Sequence, residues 1–204
     1  MKIMAWANVF MMIINLSFSL FFYCKSAHPT TLSRKKGEKA ITLCARYRKI
    51  SSWFMLFYTL QYAVYFFYPV SIPKIPGHFP WPWWISALIG IMIAVPSGML
   101  LYKGIRYAGH DTMHPGKKQR LFRGIYKKIR HPQAVGEVPF FWVISFLLHS
   151  PFLAIFSFIC VPVFFIMCYT EEKDLNIRYG SRYAKYKQNT GMFFPKKKVS
   201  LKKV

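Results

Sequence analysis

Six acidic residues face 29 lysines and arginines in this 204-residue chain, so each carboxylate is a place to look for chemistry. Glu137 follows Arg130-His131-Pro132 by one to two helical turns. Glu171 and Glu172 stand side by side just beyond the uncharged stretch Val138 to Thr170. Proline suits the first position of a helix, where its missing N–H costs nothing, which puts His131 at the N-cap. The free amides and partial positive charge of a helix N-terminus accept a carboxylate or phosphate, and the Arg130 fork can hold an anion at two points. A glutamate beside Arg130 is then either an interfacial ion pair or the partner of a ligand's ammonium group. Gly124 and Gly136 would let the backbone approach a ligand on either side. Glu137 is open to two readings, a base for a protic nucleophile or a carboxylate paired with Arg130. Glu172 is a second candidate base. Arg130, Glu137 and Glu172 are therefore the candidate catalytic residues.

The elements that must position these groups are apolar. The chain is 54% hydrophobic and 19% aromatic, yet carries a formal charge of +23. Ala5 to Tyr23, Ile50 to Val70 and Trp83 to Tyr102 are all free of charged residues. A bilayer core of ~30 Å needs about 20 apolar residues in a helix, so each block predicts one span. Val138 to Thr170, broken by Ser150-Pro151, predicts a tight helical hairpin. The expectation is an all-α integral membrane protein with about five transmembrane helices.

The basic residues alternate with these blocks. Eight lie in Cys24 to Lys49, nine between Lys103 and Arg130, and ten after Glu171, whereas Ser71 to Pro82 holds only Lys74. Basic loops stay cytoplasmic, which predicts an external N-terminus and a cytoplasmic C-terminus in a plasma- or ER-type membrane. The same charge suits anionic lipid headgroups; nucleic acid is not expected as a partner. The run Arg34, Lys35, Lys36 and Lys39 reads as a topology determinant. The cluster His78 to Trp84 reads as an aromatic belt at headgroup level.

Three regions follow: residues 1–102 with three spans and a basic loop, 103–195 with the inner loop, hairpin and a cytoplasmic helix, and a basic tail, 196–204. Leu175, Tyr179, Tyr183 and Tyr186 predict that the last helix continues past the membrane with one apolar face. Cys24, Cys44, Cys160 and Cys168 show no paired spacing for a disulfide framework or zinc. His110 and His114 stand four apart, but Pro115-Gly116 stops a helix there, so no metal site is expected.

Taken together, Gly124-Ile125-Tyr126, Arg130-His131-Pro132, the hairpin, Glu171-Glu172, Tyr179-Gly180-Ser181-Arg182-Tyr183 and Phe194-Pro195 resemble the isoprenylcysteine carboxyl methyltransferases and their phospholipid methyltransferase kin. The resemblance covers residues 118–195. It implies S-adenosylmethionine as methyl donor, in a cytoplasmic pocket between the inner loop and the hairpin. By matching position, cofactor contacts come from Lys118, Gln119, Arg120, Leu121, Tyr126, His131, Pro132, Gln133, Ala134 and Glu171. A lipophilic acceptor would enter from the bilayer. Two positions depart from the pattern: Ala134 replaces a frequent tyrosine, and Met167 replaces the arginine of enzymes that methylate a prenylcysteine carboxylate. The alternatives are an NADPH-dependent reductase of the steroid-reductase type, which shares an Arg-His-Pro-like hairpin, and a non-catalytic membrane scaffold.

Overall fold

The computed structural model describes residues 2–114 and 123–196. It is all-helical: among the described residues β-pairing is limited to two isolated bridges. Helix α1 (Lys2–Ser26) is followed by the short α2 (Pro29–Lys36), and α3 (Lys39–Phe67) returns alongside α1. Helix α4 (Trp83–Ala108) packs against α5 (Pro132–Leu147). The turn after α5 leads into α6 (Pro151–Phe156), a single 3-10 turn, and α7 (Cys160–Tyr179), which together form one rod; α8 (Ser181–Asn189) ends the described helices.

Among the described residues three rods are long and apolar enough to cross a membrane: Lys2–Ser26, Trp83–Ala108 and Pro151–Tyr179. Helix α5 has 16 residues, about 24 Å at 1.5 Å per residue. Large apolar side chains point outward along the rods, among them Phe10 and Phe21 on α1, Phe57 on α3, and Ile91, Met92 and Val95 on α4. An outward coat of this kind suits lipid, not water.

Inside this coat an apolar core is threaded by buried polar side chains. Asn15 Nδ2 donates to Gln61 Oε1 at 2.9 Å and Asn8 Nδ2 to the Gln61 carbonyl at 3.1 Å. Ser51 Oγ donates to the Ser19 carbonyl at 2.8 Å. Such bonds tie helices together where lipid offers no competing partners. The α4–α5 seam uses small residues instead. A Cβ at Gly136 would sit 2.6 Å from both the Ser97 carbonyl oxygen and the Leu101 amide nitrogen.

The local signals read from the sequence hold at several points. Pro132 opens α5 with His131 as its N-cap. Ser150 caps α6, accepting from the Leu153 amide, and Pro151 takes the first position. Two expectations change. Helix α7 stops at Gly180, whose φ of +52° favours glycine, so α8 turns off as a separate helix. Leu175, Tyr183 and Tyr186 still meet in one cluster, with Tyr179 packed against it. Burial pushes the Tyr183 and Tyr186 phenols up, so both remain neutral. Gly124 and Gly136 admit helix α4 and not a ligand: a Cβ at Gly124 would meet the Tyr107 ring at 2.4 Å.

The cluster His78 to Trp84 lies over the turn between α5 and α6. Phe79 stacks on Phe146, Trp83 Nε1 donates to the Leu147 carbonyl at 2.8 Å, and Ser86 meets His149 Nδ1 at 2.7 Å.

Candidate functional site

At the basic end of the helices, α1, α3, α5 and α7 bring their few charged side chains together. His131 lies between the two glutamates of α7, with Nε2 3.3 Å from Glu172 Oε1 and Nδ1 3.8 Å from Glu171 Oε2. The glutamates then diverge. Glu172 joins a buried cluster, with Arg130 Nε at 2.6 Å and Lys187 Nζ at 3.0 Å. The Arg130 guanidinium also donates to the Thr190 and Lys187 carbonyls. Both lone-pair edges of Glu172 are therefore occupied, and Arg130 is spent on holding α8 and its C-terminal end. This is an interfacial ion pair of the kind the sequence left open. Arg130 forms no ion pair with Glu137 among the described residues.

Glu171 turns the other way. Its Oε1 accepts from Arg48 Nη2 at 2.8 Å and from the Tyr23 hydroxyl at 2.8 Å. The Arg48 guanidinium lies over the Tyr23 ring, 4.4 Å from its centre, and is buried. Its other donors reach Ser26 Oγ at 3.2 Å and the Thr112 carbonyl at 3.3 Å. Arg48 thus joins α1, α3, α7 and the turn after α4. Sequence reading counted it among the loop charges and missed it. The one local signal was its place two residues before the uncharged block that begins at Ile50.

Asp174 performs a related task nearby. It accepts from the Thr30 amide at 2.9 Å and the Thr30 hydroxyl at 3.0 Å, and pairs with Arg178. A carboxylate at the N-terminus of α2 is favourable with the helix dipole.

Beside these pairs lies a cavity of about 200 Å³. Tyr23 and Arg48 form its polar wall, Met55, Phe164 and Met167 its apolar one, and Gln133, Ala134 and Glu137 come from α5. The side chain of Gln133 donates to Thr112 Oγ1 at 3.1 Å and to the Tyr126 hydroxyl at 3.3 Å. Tyr126 in turn donates to the Gly104 carbonyl at 3.2 Å, so its ring is fixed against α4 and does not line the cavity. Of the residues expected at the cofactor, His131, Pro132, Gln133, Ala134 and Glu171 come together around the start of α5. Lys118, Gln119, Arg120 and Leu121 lie outside the described residues. Among the described residues no group of three or more His, Cys, Asp or Glu could hold a metal.

A family model described as phospholipid methyltransferase matches residues 85–182. That segment is similar to the phospholipid methyltransferases. It holds α4, α5 and α7, and with them His131, Glu137, Glu171 and Glu172, so the resemblance read from the sequence stands. A methanethiol S-methyltransferase of Pseudomonas sp. (strain GM41) is 34% identical over 73 residues. The alignment covers 36% of this chain and 27% of that relative, so the chain spans about a quarter of the length of the curated relative it matches. No solved structure matches the chain. The apolar rods and the matched family make this an integral membrane protein.

Proposed function

We propose that the chain is an S-adenosylmethionine-dependent membrane methyltransferase that acts on a lipophilic acceptor reached from the bilayer. The carrying observation is the junction of the α5 N-terminus with Glu171 inside the matched segment. There a helix start and a carboxylate held on one edge stand together. The residues fit the donor's methionine part. The first amides of α5 lack intrahelical acceptors and suit its carboxylate, while the Oε2 edge of Glu171 suits its ammonium group. His131, Pro132, Gln133 and Ala134 would line this end. Met55, Phe164 and Met167 keep the neighbouring cavity apolar.

When bound, the donor supplies a methyl group on a sulfonium. The chain's own work is to fix the reacting groups in line and to exclude water. In this reading α3 and α5 complete a set of five spans, with the site and the C-terminus on the cytoplasmic side and the basic ends against anionic headgroups. Met167 leaves the cavity without an arginine on α7, and the Arg48 charge nearby is already matched by Glu171. A prenylcysteine carboxylate therefore lacks a free cation among the described residues.

The deciding experiment is equilibrium binding of labelled S-adenosylmethionine and of labelled NADPH to the detergent-purified protein. Saturable binding of the methyl donor, lost in Glu171→Gln, is expected. Binding of NADPH alone would install the reductase reading, and binding of neither would leave the scaffold.

A further inference from the structure

The loop between α3 and α4 reaches over the turn between α5 and α6 and is fastened there through an imidazole. Trp81 Nε1 donates to Ser86 Oγ at 2.9 Å, and Ser86 Oγ lies 2.7 Å from His149 Nδ1. The His78 and His149 rings stack 5.7 Å apart. Phe79 stacks on both Trp81 and Phe146 and meets the His149 ring in a T-shaped contact. His149 itself has φ of +55°. That left-handed conformation persists in a residue other than glycine only where its surroundings hold it.

Ser86 decides which proton form of His149 fits. Its side chain is fully buried, out of reach of water, and its oxygen already accepts from Trp81. A hydroxyl has one hydrogen to give, and among the described residues His149 Nδ1 is the acceptor within reach. A protonated Nδ1 would present a donor to that hydrogen and leave it unpaired, at the cost of a buried hydrogen bond. From this geometry we infer that the loop is a pH-sensitive clasp: His149, neutral and protonated on Nε2, closes it, and protonation of Nδ1 opens it.

Nothing at this end of the molecule compensates an imidazolium. The loop supplies His78 and Lys74, α4 supplies Ser86, and Tyr65 of α3 lies beside the neighbouring Ser150. No acidic residue occurs between Glu38 and Asp111, between Asp111 and Glu137, or between Glu137 and Glu171. Glu137 is about 18 Å back along α5, and Ser86 is about 33 Å from the Ala108 end of α4 that precedes Asp111, at 1.5 Å per residue. Lys74 and His78 can only add positive charge. The Phe79 ring favours a cation weakly and does not replace the Ser86 bond. Opening takes up a proton, so the clasp is intact at neutral pH and is lost as pH falls through the imidazole range, roughly 7 to 5. One proton shifts the closed-to-open ratio by about tenfold per pH unit. The clasp lies at the far end of α5 from His131 and stands apart from the methyltransferase reading.

The test is nuclear magnetic resonance on the full-length protein in detergent, with isotopically labelled histidine. The ring-nitrogen shifts of His149, assigned through its own backbone, show where the proton sits. At about pH 7.5 a neutral ring protonated on Nε2 is expected, and at about pH 5 an imidazolium. Through-space contacts between the Phe79 and Phe146 rings should vanish as His149 titrates. His149→Asn keeps an acceptor for Ser86, tolerates the left-handed φ and does not titrate. In that variant the ring contacts should persist at about pH 5, and the thermal midpoint should fall less on acidification than in the wild type. A ring protonated on Nδ1 at about pH 7.5, or still neutral at about pH 5, overturns the inference. So do Phe79–Phe146 contacts that survive protonation of His149, or a His149→Asn midpoint as sensitive to acid as the wild type's. The measurements on the wild type decide the matter even if the variant does not fold.

Discussion

The helix pairs α1–α3 and α4–α5 solve the same problem in lipid by different means. In α1–α3 the seam is made of side-chain amides and hydroxyls, Asn8, Asn15 and Gln61 with Ser19 and Ser51. In α4–α5 it is made of absence: Gly104 and Gly136 let the backbones touch, and even a methyl group at either would collide. The first pair lies outside the matched segment and the second inside it. A contact seam fixes helix position closely, because its tolerance is set by repulsion. A hydrogen-bonded seam can shift by tenths of an ångström. The catalytically promising start of α5 is built on the rigid pair, and the adaptable pair supplies Arg48 and the opposite cavity wall.

Substitutions can break or sharpen that contrast. The largest loss is expected where charge is buried inside the matched segment. Arg130→Ala leaves Glu172 with one buried partner fewer and strips the Thr190 and Lys187 carbonyls of a donor. Breaking a buried pair costs about 3–5 kcal/mol, and denaturant unfolding of the detergent-solubilised protein should register it. Next is Arg48→Gln, which removes the charge holding Glu171 from outside the segment. A lost charge-assisted bond is worth about 1.5–3 kcal/mol, so donor binding should weaken by about one to two orders of magnitude in a titration with labelled S-adenosylmethionine.

Gly136→Ala tests the contact seam itself. Overpacking costs about 1–3 kcal/mol, and the thermal midpoint should fall accordingly. The smallest effect belongs to the hydrogen-bonded seam. Asn15→Leu should cost about 0.6 kcal/mol, the average for interhelical bonds in a membrane. A larger loss from Asn15→Leu than from Gly136→Ala would reverse the contrast between rigid and adaptable pairs.

Punctuation residues made part of this legible in the sequence. His131-Pro132 and Ser150-Pro151 place helix starts because proline and a capping side chain act over one turn. Glu171-Glu172 stood out because carboxylates are rare here. Arg48 did not, because its role depends on Tyr23, Thr112 and Glu171, which the fold gathers from three distant places. Gly124 and Gly136 were recognisable as close approaches, but a glycine does not say what approaches it. The opposite roles of adjacent Glu171 and Glu172 were hidden for a similar reason. Neighbours on a helix point about 100° apart, and only the packed helices decide what each one meets.

One backbone feature carries a consequence in time. The amides of Arg130 and His131 donate to the carbonyls of Gly191 and Met192, at 2.9 and 3.1 Å. Those acceptors are synthesised only after the whole hairpin. Until then the peptide groups that start α5 have no such partner, so this end of the site is completed only after α8 has been made. A nascent chain halted before Gly191 would carry every charged side chain of the site and still lack its closure.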